Sequence, residues 1–192
     1  MPRKEEQLKE IRQKRKAEIT ETALQLFAER GYHNTSVSNI AKAAGVSKGL
    51  MYNYFINKEA LLNEILFGAY DDKQVASKSI EMNELPAKQR LQLIIEGTFV
   101  MVTTRLEHWK LMMSLSLQDE ISEKIKQNFT LQRKHSMEKL IELFKELGAK
   151  KPELEAFYLG SSLTGIMLQY IHLRGDYPLE EMKQYLIEKF CK

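Results

Sequence analysis

Within residues 45–55, GVSKGLMYNYF, one amide side chain stands among two tyrosines, a bare glycine and a leucine. At about 100° of rotation per helical residue, Met51 and Phe55 share one face. Gly49, Leu50 and Asn53 fall on the opposite side, flanked by Tyr52 and Tyr54. A helix face meant only for solvent more usually carries charges. These residue types suit the edges of nucleic-acid bases. The Asn53 amide matches the donor and acceptor of adenine, Leu50 matches a thymine methyl, and Gly49 lets a backbone approach closely.

To present that strip outward, the segment must be a short helix held on its inner side by others. Residues 36–55 read as two helices joined through Gly45, with Ile40, Ala41, Ala44, Val46, Met51 and Phe55 as a compact core. Ser36 and Ser47 stand where their hydroxyls would cap the two helices. A first helix spans about residue 5 to Arg30, with Ile19, Ala23, Leu26 and Phe27 on one face and Gly31 as its stop. A fourth begins after Asn57 with KEALLNEILFGAY. Five more helical segments follow, over 86–106, 107–117, about 119–147, 152–174 and 178–191. The class is all-α with about nine helices, and no segment alternates with the period of a strand. The boundary between an N-terminal unit, 1–57, and a C-terminal bundle, 58–192, is expected at the start of the fourth helix.

The run RKAEITETALQLFAERGYHNTSVSNIAKAAGVSKGLMYNYFINKEALLNEIL, 15–66, resembles the N-terminal domain of the TetR-type transcriptional regulators over about a quarter of the chain. The resemblance lies in ALQLFAERGY, in the T-S-V-x-x-I-A-x-A-A-G-V-S-K-G core, in the Y-x-Y-F ending and in the following F-x-x-K-E-x-L. It implies that Thr35 and Ser36 hold a phosphate at the start of the second helix. It further implies that Lys48, Gly49, Tyr52 and Asn53 touch bases and nearby backbone, while Tyr54 and Lys58 hold flanking phosphates. Tyr54 stands where many relatives have histidine, and Leu50 where a small or hydroxyl residue is frequent. The implied partners are a double-stranded DNA operator, a second copy of the chain and a small apolar effector.

The C-terminal part is rich in large pliable side chains, which suit an adaptable apolar cavity between helices. Phe99, Trp109, Met112, Met113, Phe129, Phe157, Met167 and Tyr170 are the candidate lining. In the uncharged run 156–173, Gly160, Ser161, Thr164 and Gly165 make a narrow face that lets another helix pack closely. The resemblance assigns that face, with 152–174 and 178–191, to a homodimer interface.

Bulk properties narrow the alternatives. The net charge of +3 is uneven: residues 1–60 carry 11 Lys/Arg against 7 Asp/Glu, residues 61–192 carry 18 against 19. The basic excess is therefore N-terminal, where a polyanion would dock. The single cysteine, Cys191, permits no internal disulfide, and the charged first sixteen residues exclude a secretory signal, so a cytoplasmic protein is expected. Polar residues within 156–173 argue against a membrane span there. The four histidines have no metal-like spacing, and no phosphate loop, G-x-S-x-G or H-E-x-x-H motif occurs. No metal, no cofactor and no catalytic residue is expected. Two other readings stay open: a DNA-binding dimer whose bundle binds a protein partner or only dimerises, and a helical-bundle enzyme of an unrelated class.

Overall fold

A computed structural model describes residues 2–68, 84–118 and 121–191, with side chains from Glu5 onward. Among them are nine α-helices: α1 (Pro2–Arg30), α2 (Val37–Ala43), α3 (Lys48–Tyr54), α4 (Lys58–Phe67), α5 (Ala87–Thr104), α6 (Leu106–Ser116), α7 (Glu123–Glu146), α8 (Pro152–Leu173) and α9 (Leu179–Phe190). A single 3-10 turn, Arg174–Asp176, precedes α9. The described residues contain no strand. The tail of the expected fourth helix, residues 69 and 70, and the start of the expected seventh, 119 and 120, lie outside the described residues.

The chain divides into two compact units, one formed by Met1–Asp71 with Glu107–Ser122, the other by Asp72–Leu106 with Glu123–Lys192. In the first, the inner face of α1 meets α2 and α4, and α2 meets α3. Ile19, Ala23, Phe27, Ile40, Ala41, Leu61 and Leu62 are almost fully buried there. Each large apolar side chain so buried contributes about 1.5–3 kcal/mol relative to exposure. The segment after α6 is tied to α4 by Ser122 Oγ, which donates to Glu59 Oε1 at 2.9 Å.

Local chemistry sets where the short helices begin and end. Gly31, with φ 82°, and Gly45, with φ 65°, take left-handed conformations that a side chain would strain, and there the chain turns out of α1 and of α2. Ser36, Ser47 and Asn57 each accept a backbone N–H from three residues on, capping α2, α3 and α4. The Ser36 hydroxyl also donates to Asn39 Oδ1 at 2.9 Å. Phe55 leaves α3 in an extended conformation and stays 6% exposed, so it anchors the helix from just beyond its end.

The second unit is an antiparallel arrangement built on α7 and α8, with α5 against α9. Leu91, Ile95 and Val102 from α5, Ile125 from α7 and Ala156 and Leu159 from α8 form its dry interior. Phe144 and Phe190 meet edge to face at 5.9 Å, fastening the end of α7 to α9. An ion pair between Arg90 and Glu146 links α5 to α7. The uncharged run 156–173 is the body of α8, with one face buried; no helix among the described residues is long and apolar enough to cross a membrane.

The two faces of α3 predict opposite mutational responses. Met51→Ala empties a site that is 1% exposed and should lower the unfolding free energy by about 2–5 kcal/mol. Leu50→Ala, one residue earlier on the outer side, should change it by less than about 0.5 kcal/mol. Urea denaturation followed by far-UV circular dichroism checks the contrast.

Candidate nucleic-acid interface

The outward strip forms as the helical spacing predicts. Lys48, Gly49, Leu50, Tyr52 and Asn53 are exposed and Tyr54 is half-buried, while Met51 turns inward. Leu50 and Tyr52 keep 36% and 46% of their surface open. A Cβ placed on Gly49 would meet only Ser47 Oγ, at 4.0 Å, and its backbone angle is ordinary. The fold therefore makes no demand for glycine at 49, and the position is open on its outer side.

The electrostatics of this surface are one-sided. From Gly31 to Asn57 the only charged residues are Lys42 and Lys48, both exposed, with no carboxylate in the whole span. A surface free of acidic groups lets a phosphate backbone approach without like-charge repulsion.

Two basic residues of α1, unremarked in the sequence, hold the end of α3. Arg12 Nη2 donates to the Asn53 carbonyl oxygen at 3.2 Å, and its guanidinium carbon lies 5.7 Å from the centre of the Tyr54 ring. A cation at a helix C-terminus also meets the favourable end of the helix dipole. Lys16 Nζ pairs with Glu64 Oε1 at 2.6 Å and lies 5.7 Å from the Phe55 ring centre. Arg12 uses one N–H on Asn53 and has four left, at an exposed position beside the strip. The signal was the basic run of α1, but its register against α3 follows only from the packing.

One of the expected phosphate ligands, Thr35, faces elsewhere, which corrects the sequence reading, while Lys58 is partly exposed at the start of α4. Thr35 is fully buried, and its hydroxyl lies within hydrogen-bond distance of the Gly31 and Leu26 carbonyl oxygens, at 2.9 and 3.3 Å. Its side chain closes the α1–α2 turn and cannot reach a phosphate. Lys58 Nζ donates to the carbonyl oxygens of Tyr32 at 2.9 Å, Thr35 at 3.1 Å and His33 at 3.5 Å, and lies 4.3 Å from the Tyr32 ring centre. Burial lowers the Lys58 pKa and, followed by the charge of Glu59, raises that of Tyr32. Ser36 remains exposed at the start of α2, free to meet a ligand with its backbone end while its hydroxyl caps the helix.

The candidate effector and dimer residues separate in a similar way. Trp109, Met112 and Met113 are half-buried in the first unit; Phe129 and Tyr170 are half-buried in the second. Phe99 and Met167 are buried and, with Thr98, Val102, Leu163 and Ile166, line a seam too narrow to admit a water molecule. Phe157 departs from the expectation: it is 55% exposed, on the outer face of α8, and lines no interior wall of its unit. Gly160 is half-buried, and a Cβ there would sit 3.5 Å from Met137 Cε of α7 within the same chain, at ordinary contact distance. Ser161, Thr164 and Gly165 are exposed, on the side of α8 that also carries Leu154, Phe157 and Leu168. Among the described residues no cluster of His, Cys, Asp or Glu could hold a metal ion.

Comparison with known proteins bears on the whole arrangement. Residues 19–65 match the family profile described as bacterial regulatory proteins, tetR family. The transcriptional regulator BetI of Vibrio parahaemolyticus is 31% identical over 166 residues, covering 81% of this chain and 79% of that one. The transcriptional repressor KstR2 of Rhodococcus jostii is 35% identical over 85 residues, so the match spans 44% of this chain and only 42% of the relative's length. In structure, FadR from Bacillus subtilis, solved in complex with stearoyl-CoA, superposes with a TM-score of 0.74 over 92% of this chain and 97% of that chain, at 22% identity. A capped recognition-type helix held by α1, inside a sequence likeness that runs through both units, places the chain in the TetR family of bacterial transcriptional regulators.

Proposed function

We propose that the chain is a sequence-specific DNA-binding repressor, acting as a cytoplasmic homodimer on a palindromic operator and released from it by a small, mostly apolar effector. The observation that carries this reading is the outer face of α3: an amide, a bare backbone and apolar contact groups, exposed within a span of 27 residues, 31–57, that lacks any carboxylate. Asn53 pairs with an adenine edge, Leu50 meets a thymine methyl, Gly49 admits the backbone, and Lys48 and Tyr52 contact bases or adjoining sugar and phosphate. The phosphate anchors are Ser36, Tyr54, Lys58 and, in place of Thr35, the guanidinium of Arg12. The DNA-reading part ends at residue 57, and residues from 58 on serve effector binding and dimerisation.

Dimerisation follows from the reading of palindromes, because two copies of α3 must meet successive major grooves about 34–36 Å apart. Support for the interface comes from the exposed apolar residues of α8, together with Ser161, Thr164 and Gly165. The effector class is argued from the residue types of the bundle, Phe99 and Met167 foremost, and agrees with the acyl thioester held in the FadR structure. A ligand that favours a wider spacing of the two reading helices weakens DNA binding, and a coupling of about 1–3 kcal/mol lowers affinity roughly 5- to 150-fold. Membership of a family of regulators speaks for regulation and against an enzyme.

Selection of bound DNA from a random pool tests the reading: recovery of a two-fold symmetric motif is expected, and uniform recovery defeats it. Asn53→Ala should cost about 1–3 kcal/mol of operator affinity and relax preference at one base position per half-site, as seen by titrating single-base operator variants. Static light scattering at micromolar concentration should give twice the chain mass. Saturation with a long-chain acyl thioester at about a hundred times its dissociation constant should stabilise the fold by about 2.7 kcal/mol in a thermal-shift assay.

A further inference from the structure

The indole of Trp109 holds a hydrogen-bond donor that the fold does not use. Its Nε1 is closed off from solvent, and no acceptor among the described residues lies within reach of it. Buried donors are almost always paired, because the bond lost to water is otherwise not returned. Arg90 Nε and Gln118 Oε1 are also buried and unpaired, but each of those side chains bonds through another atom, Arg90 to Glu146 and Gln118 to Ser114. An indole has a single polar atom, so Trp109 gains no such compensation.

Its neighbours on α6 limit what could meet that donor. At about 100° per residue, Leu106, Met112 and Met113 lie within about 60° of Trp109, and all four are half-buried. His108, Leu111 and Leu115 form a separate, buried face. α6 therefore carries a second apolar face that packing covers only in part. Ser116, the next polar group along it, gives its hydroxyl to the Met113 carbonyl oxygen at 2.9 Å. A trapped water needs about two to four polar partners, and this face offers it one. Lys110, the only lysine of α6, is paired with Glu107 at 2.7 Å, so it is not free to neutralise a carboxylate. A neutral N–H beside thioethers suits an uncharged acceptor on an apolar body.

We propose that the Trp109 indole N–H is the polar anchor of an effector site on α6, donating to the carbonyl oxygen of an otherwise apolar ketone, ester or thioester. The assignment rests on the effector-binding reading of the chain and narrows it: a hydrocarbon of the same size leaves the donor unpaired and is discriminated against.

The chain has one tryptophan, so its proton–nitrogen correlation spectrum holds a single indole signal. The probes are medium-chain methyl ketones, the alkanes of equal length and a long-chain acyl thioester, each also tested for its effect on the melting temperature. A ketone should move the indole proton downfield, as a newly made hydrogen bond requires, and the matching alkane should not. Trp109→Phe keeps an apolar ring and removes the donor; it should lower ketone affinity by about 2- to 12-fold and leave alkane affinity within about twofold. A ketone or thioester that stabilises wild type and Trp109→Phe alike, with the indole signal unmoved, would overturn the anchor and leave the effector reading standing. An indole proton already downfield in the free chain, with a cross-peak to bound water, would mean that water holds the donor and would overturn the anchor as well. If no probe raises the melting temperature, the effector reading falls and the anchor with it. Should Trp109→Phe not fold, the response of the wild-type indole signal decides alone.

Discussion

A helix of seven residues has almost no stability of its own, because nucleating a helical turn costs more than so few hydrogen bonds return. α3 exists only while it is held from outside, and much of the first unit is arranged around that constraint. Ser47 caps its start, Met51 buries its middle, and Phe55 anchors the chain just past its end. From α1, Arg12 closes the last turn and Lys16 reaches across Phe55 to Glu64 of α4. None of these contacts uses the side chains of Lys48, Gly49, Leu50, Tyr52 or Asn53, so apart from Tyr54, which lies against Arg12, the groups that hold the helix and the groups it displays are separate sets.

That separation is why so much of this region was legible in the sequence. Burial of Met51 and Phe55 and exposure of Asn53 are consequences of helical geometry alone, and the serine and asparagine caps are local chemistry that needs no knowledge of the rest of the chain. The nine helices among the described residues are legible for the same reason, since amphipathic spacing and glycine stops act within a few residues. Thr35 departs from the sequence reading because its partners are carbonyl oxygens, which the identity of a residue does not reveal. A threonine beside a helix start looks alike in sequence whether it faces a phosphate or a turn. Arg12 was missed for the converse reason: its contact with Asn53 spans 41 residues, and a basic run gives no register.

In the second unit the sequence pointed to residue types and not to directions. Small residues on α8 suggest one close-packing face, and of these Gly160 is half-buried beside Met137 while Ser161, Thr164 and Gly165 face outward. The aromatic and methionine content likewise divides between a dry interior, as at Phe99 and Met167, and an exposed apolar surface around Phe157. Helices with apolar groups on two sides carry that ambiguity in their periodicity, and only the placement of neighbours resolves it.

The open position of Gly49 and the exposure of Leu50 and Asn53 have a consequence for how such a chain changes over time. Because these side chains contribute little to holding the helix, they can be exchanged at small cost in folding, and recognition can drift while the scaffold stays intact. Two copies of this gene would be able to diverge toward different targets through a handful of substitutions, without first acquiring any that restore the fold.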